Sequence, residues 1–132
     1  MERIERTALR NLIHNEEYSR KVLPFIKEDY FSDRLERLLF KEIYRFITKF
    51  NALPTKEALS IEINDSKDIT EDEYKKITDI IATLNPEKIN LEWLVETTEK
   101  FCKDRAIHNA ILSGIQIIDG KDKKHTPEYL PE

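Results

Sequence analysis

The stretch from Leu91 to Asp119, LEWLVETTEKFCKDRAIHNAILSGIQIID, limits what this chain can fold into more than any other. It holds no proline, and Asn90 stands before it as a cap whose side-chain oxygen can accept a free N–H of the first turn. The stretch therefore reads as one uninterrupted helix. At ~1.5 Å per residue it is roughly 43 Å long, more than the diameter of the ball that ~100 residues can form. Part of the helix is expected to project beyond the core it packs on.

Its two halves carry different patterns. At ~100° per residue, Leu91, Leu94, Val95, Thr98, Phe101, Cys102, Arg105 and Ala106 share one side. Trp93 apart, the other side of that half is Glu96, Thr97, Lys100, Lys103 and Asp104, as in an amphipathic helix lying on a core. From Ala106 onward apolar residues surround most of the circumference. Leu112 continues the first stripe, Ile107, Ile111, Ile115 and Ile118 take the opposite side, and Ala110 and Ile117 lie to one flank. A helix that is apolar on several faces has to be covered on several faces. Either the rest of the chain wraps it, or the cover comes from another chain or from sequence outside this one. We favour the second.

With 132 residues the chain suits one domain. A hydrophobic fraction of 39% is enough for a core, and 36% charged residues fit a small helical protein with much surface. Two glycines, against a usual ~7%, disfavour turn-rich β architectures and glycine-lined phosphate loops. A net charge of −4 argues against nucleic-acid binding by bulk electrostatics, which needs a concentrated basic surface. Cys102 is the one cysteine, so no intramolecular disulfide is possible. The opening MERIERTALRNLIH mixes charges among its apolar residues and is not a signal peptide, and no apolar run approaches the ~20 residues of a membrane span. No membrane partner is expected, and a cytoplasmic location is.

Ahead of the long helix the chain reads as a series of shorter ones. Ile4, Ala8, Leu9, Leu12 and Ile13 form a helical stripe. Asn15 with Glu16 and Glu17 opens a second helix, carrying Tyr18, Val22 and Leu23 until Pro24 interrupts. Phe25, Ile26, Tyr30 and Phe31 form a dense cluster on a short helical turn. Ser32 is expected to cap a helix from Asp33 to Phe50, whose Leu35, Leu38, Leu39, Ile43, Phe46, Ile47 and Phe50 keep the 3.6 period. Thr55 caps KEALSIEI, Thr70 with Glu73 forms a capping box, and the helix it opens stops at Asn85-Pro86. No strand pair is present in the pattern. The fold class is all-α: a compact head of about five helices, then the long helix.

Little here suggests chemistry. A phosphate loop needs a glycine-rich turn and a lysine, and neither Gly114 nor Gly120 has that context. His14, His108 and His125 are far apart, and none has a second histidine or cysteine at metal-ligand spacing. Cys102 faces the core side of its helix and reads as an inert thiol. Glu16-Glu17, Glu28-Asp29 and Glu71-Asp72 sit at helix starts, where they offset the helix dipole. Arg105, among apolar neighbours, is expected either to pair with a carboxylate or to snorkel to water. Lys121, Lys123, Lys124 and His125 read as either a contact for nucleic acid or a solvated connector, and we favour the connector. No catalytic, metal-binding or cofactor-binding residue is expected.

The order and spacing of packing residues resemble those of a known family. Leu9 and Leu12, Tyr18 with Lys21-Val22 and Pro24, Tyr30-Phe31, and Phe40-Lys41 with Ile43 carry the first part. Pro54, Ala58-Leu59, Thr70-Glu71 and Glu73-Tyr74 continue it. Trp93-Leu94-Val95, Thr98-Glu99-Lys100, Arg105-Ala106 and Asn109-Ala110 carry it furthest. Over roughly Ile4 to Ile118 the chain resembles the N-terminal domain of DnaB-type hexameric replicative DNA helicases, most of all those of T-even bacteriophages. The resemblance implies residues 1–103 as a helical head, residues 104–119 as the first arm of a helical hairpin, and 120–132 as a connector cut short before an ATPase domain. The head core would draw on Leu9, Leu12, Phe31, Leu39, Ile43, Phe46, Trp93 and Phe101. The subunit and hairpin interface would use Ile107, Ala110, Ile111, Leu112, Ile115 and Ile118.

The same resemblance implies a role in hexamer ring assembly and primase coupling at the replication fork. A helicase loader is a further implied partner, and single-stranded DNA would pass through the parent ring. ATP and Mg, with ATP-driven 5′–3′ unwinding, would belong to the missing C-terminal domain, so this chain would need no cofactor. The location implied is the cytoplasm of an infected bacterial host. The other reading is a stand-alone all-α adaptor or loader-like protein that binds a partner through the half-helix from Ala106 to Ile118.

Overall fold

The computed structural model describes the backbone of residues 3–120 and the side chains of residues 3–115. The helices are α1 (Ile4–His14), α2 (Glu16–Val22), α3 (Arg34–Phe50), α4 (Lys56–Asn64), α5 (Glu71–Thr83) and α6 (Leu91–Gly120), with a 3-10 turn at Glu28–Tyr30 and no strand among the described residues. The architecture is all-α. The expected connector, past Gly120, lies outside the described residues.

Capping side chains set most of the starts. Asn15, Thr55 and Asn90 each accept the N–H three residues on, from Tyr18, Ala58 and Trp93, at 3.0, 3.0 and 2.8 Å. Thr70 and Glu73 exchange hydrogen bonds of 3.1 Å in a complete capping box. The Arg34 guanidinium reaches Glu73 at 2.8 Å, tying the start of α3 to the start of α5. That contact and the Thr70 N–H hold the Glu73 carboxyl below its ordinary range. The cap of α3 is Asp33, not the expected Ser32: its Oδ2 accepts from Glu36 N at 3.2 Å. A carboxylate one residue later both caps the turn and offsets the helix dipole. At the far end Asn51 closes α3 with φ of 51°, the left-handed region that asparagine tolerates.

The core gathers one face from every helix. Leu9, Leu12, Phe31, Leu39 and Ile43 are wholly buried with Tyr18, Val22, Leu59, Ile77, Leu84 and Leu94. Phe101 packs against this cluster partly buried, edge-on to Phe31 at 6.3 Å between ring centroids. Two residues expected in the core are not there. Phe46 is half-buried and pairs with Phe50, centroids 4.7 Å apart, in the last turns of α3. Trp93 is 53% exposed. It leaves α6 on the side away from Leu94 and Thr98, so its helical position overrides its apolar bulk.

Two polar contacts hold the head together from inside. The Glu36 carboxylate is fully buried, and its Oε2 accepts from Arg3 Nη2 at 2.7 Å and Arg6 Nε at 3.2 Å, joining α1 to α3. The Tyr18 hydroxyl and Thr98 Oγ1, both fully buried, are 2.8 Å apart and join α2 to α6. Beside that pair, burial pushes the Cys102 thiol from its ordinary 9.0 up to about 12 and raises the Tyr18 phenol in the same direction.

Two stability measurements test this seam. Tyr18→Phe leaves the Thr98 hydroxyl without its partner and should cost about 1–3 kcal/mol in urea unfolding, whereas adding Thr98→Val should return most of it. Both Cys102 and Tyr18 keep their protons to higher pH in the folded state. The stability they contribute is therefore complete below the unfolded thiol value and falls as pH rises from about 9 toward 12. Cys102→Ala should flatten that alkaline decline while lowering stability at neutral pH through the cavity it leaves.

Candidate assembly surface

The second half of α6 is reached by following how the helix leaves the head. Its first half packs on α1, α2 and the 3-10 turn, with Leu94, Thr98 and Cys102 buried along one stripe. The next two positions of that stripe are polar. Arg105 Nε donates to the Tyr30 carbonyl at 3.1 Å, and Asn109 Nδ2 donates to the Asp29 carbonyl at 3.0 Å. Carbonyls at the end of a helical turn lack intrahelical partners, and a cation or amide there satisfies them. Among the described residues Arg105 has no carboxylate partner, and it stays partly exposed while its Nε binds this carbonyl. Asn109 carried no signal of this role, because neither its type nor its spacing specifies a main-chain acceptor from another element.

Beyond these contacts the helix is bare. Ile107, Ile111, Leu112 and Ile115 are 60%, 58%, 45% and 49% exposed, and Ala110 is exposed with them. The side chain of Ile118 lies outside the described residues. Ile107, Ile111 and Ile115, on consecutive turns of one helix face, form an exposed apolar stripe of the kind that marks an interaction site, and Leu112 lies to one side of it. Gly114 lies among them, and a Cβ placed on it would meet no heavy atom within 4 Å. Packing within the chain therefore does not require glycine there, although glycine in a helix interior costs about 1 kcal/mol relative to alanine.

The remaining reactive side chains do not converge. His14 sits 2.7 Å from the Leu84 carbonyl, linking α1 to the end of α5, while His108 is exposed on α6. Among the described residues no three His, Cys, Asp or Glu side chains group as a metal site. Among them, too, no helix is long and apolar enough to cross a membrane. A cleft of about 340 Å³ between α2 and α3 is floored by Leu23, Tyr44, Ile47 and Leu53, and the Glu16–Arg20 ion pair sits on its rim.

No protein-family model matches the chain. Over 109 residues, 83% of its length, it is 31% identical to a protein of Enterobacteria phage T4 described as a DnaB-like replicative helicase. The chain spans 23% of that protein's length.

The polar attachment of the arm can be tested on this chain alone. Arg105→Ala with Asn109→Ala removes two hydrogen bonds, each expected to contribute about 0.5–1.5 kcal/mol. Hydrogen exchange should then quicken in α6 from about Lys103 onward and stay unchanged in α3 and α5.

Proposed function

We propose, from the relationship of this chain to DnaB-type replicative helicases, that it acts as an N-terminal assembly and partner-docking unit of a phage-type replicative helicase. The observation that carries the reading is the exposed isoleucine face on a helix that two polar contacts aim away from the head. An apolar arm held clear of its own core is suited to packing against another helix. In a hexamer that helix would belong to a hairpin partner or a neighbouring subunit, with Ile107, Ala110, Ile111, Leu112, Ile115 and Ile118 at the seam. The head would then be free to meet primase or a helicase loader, and single-stranded DNA would pass through the ring. ATP hydrolysis with Mg, and 5′–3′ unwinding, would be supplied by sequence outside this chain, which has no glycine-rich phosphate loop. Gly114 fits the same reading, because a glycine on an uncovered face lets a second helix approach closely.

The test is the double variant Ile111→Asp/Ile115→Asp. Both side chains are exposed in this chain, so thermal unfolding of the chain should change by no more than about 0.5 kcal/mol. In the full-length helicase the same changes would bury unpaired charge, costing several kcal/mol per subunit. Sedimentation of the full-length variant should show dissociated subunits, and an intact hexamer would refute this assignment of the face.

A further inference from the structure

Trp93 belongs neither to the core nor to the isoleucine face, and it is the chain's single tryptophan. An indole half in water leaves unused much of the ~150–250 Å² that an aromatic side chain can bury. Where α2 meets the start of α6 lies a cleft of about 540 Å³ whose lining does not include Trp93 but does include Glu92 and Glu96, its neighbours one and three residues away on the helix. Leu91 and Val95, both half-buried, make its apolar floor. Glu17, Glu92 and Glu96 stand on its rim beside Lys21. Some carboxylates elsewhere pair with arginine, as Glu36 with Arg3, Glu73 with Arg34 and Glu42 with Arg45, while others among the described residues, Glu57 and Asp79 included, do not. Among the described residues the three rim glutamates have no ion-pair partner. Glu17 and Glu92 offset the dipoles of their own helices. Glu96 lies a turn further in, where that explanation does not reach.

We infer that this cleft and Trp93 form a docking surface for a cationic amphipathic segment of a partner protein. An apolar side chain of the segment rests on Leu91 and Val95. Its lysines or arginines meet Glu17, Glu92 and Glu96, and one cation can lie over the Trp93 indole. Charge complementarity selects this occupant over a neutral or acidic one, and a desolvated tryptophan is a common centre of binding energy. The inference does not rest on the assembly proposal, since the isoleucines lie at the other end of α6.

The single tryptophan makes the test direct. The probe is a synthetic helical peptide of lysine and leucine with its leucines on one face, titrated into this chain while Trp93 emission is followed. A saturable blue shift that weakens with added salt is expected, and the matching glutamate–leucine peptide should give none. Glu92→Gln/Glu96→Gln should raise Kd at least about tenfold, because truncating a charged partner at a docking site removes that much affinity. Glu57→Gln/Asp79→Asn makes the same change in net charge on α4 and α5 and should leave Kd within about twofold. By calorimetry, Trp93→Ala should weaken binding to a similar degree. Four results would overturn the inference: no shift, equal binding of the acidic peptide, equal weakening by both carboxylate pairs, or unchanged affinity in Trp93→Ala. A shift that follows protein concentration with no peptide present would also overturn it, in favour of a second copy as the occupant.

Discussion

Seating the first half of α6 on α1 and α2 is the constraint from which the rest of this molecule follows. Leu94, Thr98 and Cys102 present a buried face one side chain wide, and the Tyr18–Thr98 hydrogen bond fixes its register. Apolar burial alone is non-directional and would tolerate small slides along the seam. Two hydroxyls that have no water to fall back on do not, because a slip leaves both unpaired in a medium that penalises it. Once α6 is seated there, its straightness decides where the remaining turns go.

The handover from apolar to polar contact along α6 has a consequence for what the arm can do. Arg105 and Asn109 bind main-chain carbonyls of the 3-10 turn, so the helix is aimed by direction-dependent bonds where its hydrophobic contact with the head ends. Past Asn109 the described side chains of α6 are exposed. An isoleucine face in water contributes nothing to the stability of a single chain and favours any state that covers it. Linkage then makes the stability of that state depend on the concentration of whatever does the covering.

Much of this was legible in the residues. The caps at Asn15, Thr55, Thr70 and Asn90 are local chemistry, decided within four residues, and so are the 3.6-residue stripes that built the core. What local pattern left undecided was which of two plausible neighbours wins. Ser32 and Asp33 are both good caps, and only the path of the chain into α3 selects the charged one. Phe46 keeps the stripe of α3, yet it is only half-buried and pairs with Phe50. Trp93 belongs to the core only by the resemblance, and its angle on the helix points it outward. Arg105 was open to a carboxylate or to water, and the carbonyl that its Nε binds lies 75 residues away along the chain.

The sequence by itself determined that this protein is all-α, that a single helix would run from Leu91 to Asp119, and that its second half would be apolar round most of its circumference. Each of these depends on proline placement, caps and periodicity, which act over one or two turns of chain. Tertiary structure decided which of those turns lie on the head, which two polar side chains end the contact, and that Trp93 lies exposed rather than in the core. Those outcomes depend on where separate helices stop relative to one another. Helix ends are set by the packing of the whole head, and no window along the chain contains that information.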